Sequence, residues 1–171
     1  TENGLSSTAS SLWEARLAYE EMGSHVHAFT PAYLPKEWAQ WQQYASHITF
    51  NSLSQYERYK GSLSPKVSYG IRINPEYSPV ETDLYNPALP GSRFGVTAEA
   101  LDKGLPKGIE GLHFHVLCEG NSFQLERTLG IISKKFDTSL RHAQWLNMGG
   151  GHLMTHKEYN IEHLVEVLKG F

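Results

Sequence analysis

The chain has 171 residues, 40% hydrophobic and 19% charged, which suits one globular domain or part of a larger one and excludes a disordered tail. Its formal net charge is -3 and its lysines and arginines are scattered, so it carries no basic stripe for DNA or RNA. A single cysteine, Cys118, excludes an internal disulfide, and without a long apolar run or signal peptide the expectation is a cytoplasmic protein that makes no membrane contact.

Helix-like and strand-like segments alternate along the chain. STASSLWEARLAYEEMG predicts a helix that opens at Ser11 with Glu14 in capping-box spacing, carries Leu12, Ala15, Leu17 and Ala18 as apolar positions, and stops at Gly23. With a helical pattern under way by Ser11, the sequence reads as though it starts within a fold. HVHAFTPAY and HITFNS are short and rich in β-branched and aromatic residues, and predict two strands. The stretch between them, from Pro35 to about Tyr44, is predicted helical, with Pro35 in the first turn and Trp38 and Trp41 packing at helical spacing. SLSQYERYK reads as a helix capped by Ser52, and KVSYGIRINP as the next strand, followed by a long loop through Gly91. AEALDKG is a short helix, GLHFHVLC a strand, SFQLERTLGIISKKF a helix, QWLNM a strand, and NIEHLVEVLKGF a last amphipathic helix.

Five strands, each followed by a helix or loop, predict an α/β fold of parallel strands with right-handed crossovers. A doubly wound sheet would be complete at this length, whereas a (β/α)8 barrel of about 250 residues would be truncated. The polar, glycine-rich stretches NPEYS, CEGNS and GGGH all follow strands. Candidate ligating groups thus come from three or more strand ends, which a barrel's single mouth gathers more readily than an open crevice, so a partial (β/α)8 barrel is the expected architecture.

Three consecutive glycines, Gly149, Gly150 and Gly151, suit a turn at positive φ or one that another group approaches closely, and a phosphate is the commonest such guest. In HFH, strand alternation turns His113 and His115 to one side and Phe114 to the other. That spacing suits a metal pair, which His152 could join, but no inward strand-end aspartate is evident to complete a site, and one imidazole beneath a flat cofactor ring is the other use. Cys118 reads as a packed thiol, with nothing nearby to activate it.

Together YGIRINPEYS, YNPALPGSRFG, GLHFHVLCEGNSF and WLNMGGGHLMT, in this order and spacing, resemble the carboxynorspermidine/carboxyspermidine decarboxylases, pyridoxal phosphate enzymes of the alanine racemase and ornithine decarboxylase barrel type. The resemblance extends through SSLWEARLA, VHAFTPAY and HITFNSLSQYERY over essentially the whole chain. It implies decarboxylation of a carboxylated polyamine with pyridoxal 5'-phosphate as cofactor and no metal. It further implies that Gly149, Gly150 and Gly151 bind the cofactor phosphate, that His115 stacks on the pyridine ring, and that Arg72, Arg93 and Cys118 line the cofactor cavity. Glu119 and His152 become candidates for substrate contact, and Glu76, Glu81 and Asp83 form an acidic loop suited to a cationic chain, or simply to solvent.

The same resemblance makes residues 1–171 the central part of the barrel domain, with the Schiff-base lysine strand, the last barrel strand and the C-terminal β-domain of a homodimeric enzyme outside them. Lys36, Lys60 and Lys135 lie on predicted helices or loops and do not replace that lysine, so the chain by itself is expected to be inactive. Two rival expectations are a barrel metal-dependent hydrolase that uses His113 and His115, and a non-catalytic pyridoxal phosphate-binding barrel protein.

Overall fold

A computed structural model describes residues 6–171. Six strands, β1 (Ser7–Ala9), β2 (Val26–Phe29), β3 (Ala45–Phe50), β4 (Ser68–Arg72), β5 (Gly111–His113) and β6 (Trp145–Asn147), pair in parallel and strictly in sequence order. A doubly wound sheet reverses its strand order at a switch point, and among the described residues this sheet does not. It is also curled. On a flat sheet β2 and β6 would stand about 19 Å apart, four strand spacings, yet the rings of His27 on β2 and Trp145 on β6 meet with centroids 4.8 Å apart. Monotonic order and inward curl together define the wall of a (β/α)8 barrel.

Alternation along the strands sets the two faces. Val26, Ala28, Ile48, Phe50, Tyr69, Ile71 and Leu112 point outward into the buried layer beneath the helices. There Trp38 stacks on Tyr59 at 4.3 Å and Phe50 lies against Tyr69 at 5.8 Å, which accounts for the aromatic content of the second and third βα units. The helices are α1 (Leu12–Met22), α2 (Trp38–Tyr44), α3 (Leu53–Tyr59), α4 (Ser122–Lys135), α5 (Asp137–His142) and α6 (Ile161–Gly170). α1 begins with the expected capping box: the Ser11 hydroxyl accepts from the Glu14 N–H at 3.3 Å, and the Glu14 carboxylate accepts from the N–H of Ser11 at 3.1 Å. Gly23, at φ +61°, ends the helix.

The inward face is filled at its lower level by one large ring. Trp145 crosses the interior to rest on β4 and β5, where a Cβ on Gly70 or Gly111 would overlap the indole. Its Nε1 donates to Ser68 Oγ at 2.8 Å, and Ser68 in turn donates to Glu110 at 2.5 Å. The stacked pair His27 and His47, centroids 5.0 Å apart, meets the indole edge-on from the opposite side.

Several sequence expectations are corrected. The described residues form six strands where five are expected: β1 lies just ahead of the first predicted helix, because three residues carry no period-2 signal and the ladder with β2 alone makes them a strand. The strand expected over GLHFHVLC ends at His113, where the chain leaves the ladder to form the mouth. AEALDKG makes only a 3-10 turn at Glu99–Leu101, with Gly104 at φ +83° turning the chain away soon after, and the short helix α5 is additional to those expected. Leu17 is exposed, so the buried stripe of α1 is Ala15 and Ala18. The crossover from β4 to β5 is a long loop with 3-10 turns and no α-helix.

The close approach of Trp145 predicts that Gly111→Ala lowers stability by about 1–3 kcal/mol, as overpacking does. Gly61→Ala, whose Cβ meets no atom within 4 Å, is expected to stay within about 0.5 kcal/mol of the parent. Chemical denaturation midpoints of the two variants measure the contrast.

Candidate functional site

Register partners Arg72, His113 and Asn147 lie side by side at the C-terminal ends of β4, β5 and β6. Above this rank, the chain segments leaving β5 and β6 are tied together. Gly120 N–H donates to the Gly151 carbonyl at 2.6 Å and Leu153 N–H donates to the Gly120 carbonyl at 3.2 Å. Two cavities open here. One, of about 640 Å³, is lined by Thr8, Ser10, His27, Phe29, His113, His115, Asn147 and Gly150 among others; the second, of about 510 Å³, includes Arg72, Tyr85, Phe94, His115, Cys118, Glu119 and His152. His115 lines both.

The glycine turn separates two reasons for lacking a Cβ. Gly149 and Gly151 have φ of +69° and +89°, and a Cβ at either would press on the main chain beyond β5, at the Phe114 carbonyl (2.5 Å) and at the Leu117 carbonyl respectively. Gly150 is different: its φ is not positive, and a Cβ there would meet no atom of the described residues within 4 Å, although the residue lines the larger cavity. The fold has no need of glycine at 150, so the open space beside it is what the missing side chain preserves. The alternating sign of φ at 149, 150 and 151 is the backbone pattern that turns successive N–H groups to one side. Two of these amides are already in use, Gly149 N–H donating to Asn147 Oδ1 at 2.8 Å and Gly150 N–H to His115 Nδ1 at 3.1 Å.

The bond from Gly150 fixes the His115 ring and makes Nδ1 the acceptor, which leaves the proton of the neutral imidazole on Nε2. Burial and the Arg72 charge both lower the His115 pKa, favouring that neutral form. His113 is nearly inaccessible at 5% exposure, and among the described residues neither ring nitrogen makes a well-formed hydrogen bond, with the Asn147 side chain its nearest polar neighbour. Burial first, then Arg72, push its pKa down to about 3. His27 is pushed down to about 4 by burial and by His47.

Arg72 is 6% exposed and donates from Nη2 to the His115 carbonyl at 3.1 Å, and no carboxylate among the described residues pairs with it. Burial lowers its pKa to about 10, still charged at neutral pH. A buried cation without a counter-charge, beside an open cavity, suits an anionic ligand.

Most of the expected site residues meet here, and some do not. His115, Gly150, Gly151, Arg72, Cys118, Glu119 and His152 line the two cavities. Cys118 is exposed, not a packed thiol. Glu119 holds φ +51°, a left-handed conformation unusual for a side chain with a Cβ. His152 is oriented by Tyr159, Nδ1 to hydroxyl 2.8 Å. Arg93 is not on either cavity wall; it is exposed along a groove of residues 84–94. Glu76 pairs with Lys135 of α4 at 2.9 Å and lines neither cavity. His113 and His115 line one cavity as the alternation predicts, but no group of three His, Cys, Asp or Glu able to hold a metal is gathered among the described residues. Phe29, His27, Asn147 and Ser10 were not anticipated, because nothing in their local sequence marks them apart from strand residues.

No family model matches the chain. A carboxyaminopropylagmatine decarboxylase from Synechocystis sp. is 53% identical over 165 residues, 96% of this chain and 43% of that protein. A carboxynorspermidine/carboxyspermidine decarboxylase from Campylobacter jejuni is 39% identical over 164 residues, again 96% of this chain and 43% of the relative. The crystal structure of carboxynorspermidine decarboxylase from Campylobacter jejuni, complexed with norspermidine, superposes with a TM-score of 0.83 at 35% identity, covering 96% of this chain and 42% of that one. The resemblance read from the motifs is borne out in these relatives, and so is the partial barrel. The chain spans less than half the length of the curated relatives it matches.

The buried histidines make stability depend on pH. Unfolded imidazoles take up protons near 6.5, whereas His113 and His27 resist protonation in the fold down to about 3 and about 4. Their contribution is therefore full above the unfolded value and is lost as pH falls toward the folded ones. Each adds a slope of about 1 kcal/mol per pH unit within its window. Denaturation midpoints between about pH 7 and about pH 4 are expected to fall, and His27→Phe, which removes one titrating ring, to flatten the fall.

Proposed function

We propose that the gene product to which this chain belongs is a pyridoxal phosphate-dependent carboxy-lyase acting on carboxynorspermidine and carboxyspermidine, in polyamine biosynthesis. Residues 1–171 are then the central part of its barrel domain, with the lysine strand, last barrel strand and β-domain outside them, in a cytoplasmic homodimer. The observation that carries the reading is the glycine turn: Gly150 lacks a side chain where no protein atom would oppose one, next to an imidazole already oriented by the same residue. The uncompensated Arg72 and the unpartnered nitrogens of His113 supply further polar groups suited to a polar, anionic cofactor.

Pyridoxal phosphate, when bound, supplies an electron sink for the pair released as CO2 leaves. The chain's own residues bind and orient. The turn at Gly149, Gly150 and Gly151 would let a phosphate approach the main chain closely in the open space beside Gly150, with the Gly149 and Gly150 amides turned to Asn147 and His115. His115, fixed through Nδ1, presents a flat face against which a ring can stack and so sets the plane to which the breaking carboxylate bond must stand perpendicular. Arg72 holds positive charge in the wall, and Cys118 lines the same cavity. Glu119 and His152 stand toward the second cavity, where an acidic group would meet the cationic amine chain of the substrate.

A second substrate reading has one observation behind it: the 53% identical relative is named for carboxyaminopropylagmatine. That molecule ends in a guanidine where the other two end in an amine, so Glu119 would face a planar fork instead of a point charge. Relative kcat/KM of the full-length gene product on the three carboxylated precursors decides between them. CO2 release from none of the three would overturn the decarboxylase assignment.

Gly150→Val is expected to leave the melting temperature close to the parent while weakening pyridoxal phosphate binding by about tenfold or more, since its branches enter only ligand space. His115→Phe should keep more of the cofactor than His115→Ala, with turnover reduced in both, because a flat ring preserves the stack and not the nitrogen. Visible absorbance of the bound cofactor and turnover, measured side by side, separate the two roles. Equal total loss in both, together with zinc in the parent and no cofactor absorbance, would favour metal-dependent hydrolysis.

A further inference from the structure

The Arg72 guanidinium lies over two aromatic faces, its Cζ 4.9 Å from the Phe29 centroid and 4.7 Å from that of Phe94. Phe29 is fixed by its strand, but Phe94 belongs to the long β4 to β5 connection, which would otherwise be free to hold the ring elsewhere. The side chain that pins it is Asn51, just beyond β3 and 8% exposed. Its Nδ2 donates to the Arg93 carbonyl at 2.9 Å, and its Oδ1 accepts from the Gly95 N–H at 3.2 Å. One amide thus grips the chain on both sides of Phe94.

Gly95 completes the grip. At φ +83° it lets the chain come so close to β4 that a Cβ would lie 2.8 Å from the Ile73 carbonyl carbon. Val96 N–H then donates to the Arg72 carbonyl and Asn74 N–H to the Val96 carbonyl, both at 2.8 Å. The main chain of Arg72 is held by the same segment whose ring covers its side chain.

We propose that Phe94, placed by Asn51, is a positioning residue for Arg72. Its ring holds the guanidinium against Phe29 so that the charge stays in the wall of the cavity lined by His115. Neither pairing with a carboxylate nor several hydrogen bonds fixes this guanidinium within the described residues, which leaves the two ring faces to act on its charge directly. That Arg72 serves pyridoxal phosphate rests on the proposed function; the placement of the guanidinium does not.

Two measurements on the full-length gene product test this. With arginine 15N-labelled, the Arg72 Hε resonance, assigned by its loss in Arg72→Lys, is expected upfield because two ring faces shield it. Phe94→Leu and Asn51→Ala should move it downfield and Phe94→Tyr should leave it in place; an unmoved resonance in Phe94→Leu overturns the proposal whether or not any cofactor binds. In pyridoxal phosphate titrations, Phe94→Leu should weaken binding about three- to tenfold and Phe94→Tyr less than about twofold. In an Arg72→Gln background Phe94→Leu should add nothing, since its effect runs through the guanidinium. An equal loss in that background would make Phe94 a cofactor contact or a general packing residue and overturn the positioning role. A parent that takes up no pyridoxal phosphate would overturn the cofactor reading alone, with the resonance still deciding the placement.

Discussion

The filling of the barrel interior by Trp145 is the constraint on which the site depends. An indole crossing from β6 to β4 and β5 needs two strands without side chains at that level, and Gly70 and Gly111 provide them. With the lower level closed by this ring and by the His27 and His47 stack, the next level up holds Arg72, His113 and Asn147 in register, and the cavities can only form above it. A close-packed floor gives the mouth a fixed depth.

What stands on that floor is polar and incompletely paired. Natural interiors satisfy nearly all their buried polar groups, yet among the described residues His113 has no well-formed hydrogen bond at either nitrogen and Arg72 has one hydrogen bond and no counter-charge. Both are costly arrangements in isolation. They occur at the C-terminal rim of a parallel barrel, beside a glycine whose absent side chain leaves open space, which is where a bound polar group would offset the cost. Around them the loops are held by main-chain bonds: the Gly120 and His152 bridge joins two of them, and Asn51 clamps a third.

How the turn at 149–151 is built shows why a glycine motif alone is an incomplete guide. Three identical residues in the sequence perform two tasks. Gly149 and Gly151 yield to the main chain beyond β5, and Gly150 yields to empty space. Likewise the acidic residues of the β4 to β5 loop look alike in sequence, while Glu76 is taken by Lys135 on the outer surface and Glu119, from another loop, faces the cavity.

By itself the sequence determined the parallel α/β class, most of the element order, the capping of α1 and α3, and the motifs whose order carries the family resemblance. These are local or sequential properties: capping boxes, strand alternation and glycine turns are written within a few residues. The HFH alternation likewise placed His113 and His115 on one cavity. Only the tertiary structure decided that β1 is a strand, since three residues become one solely by pairing with β2. It alone turned His113 into a buried neutral ring, set Arg93 apart from the wall, and brought Asn51, 42 residues away in sequence, to the Arg93 carbonyl beside Phe94. Burial, unpaired charge and side-chain clamps depend on which distant segments the curl of the sheet brings together, and no local pattern encodes that distance.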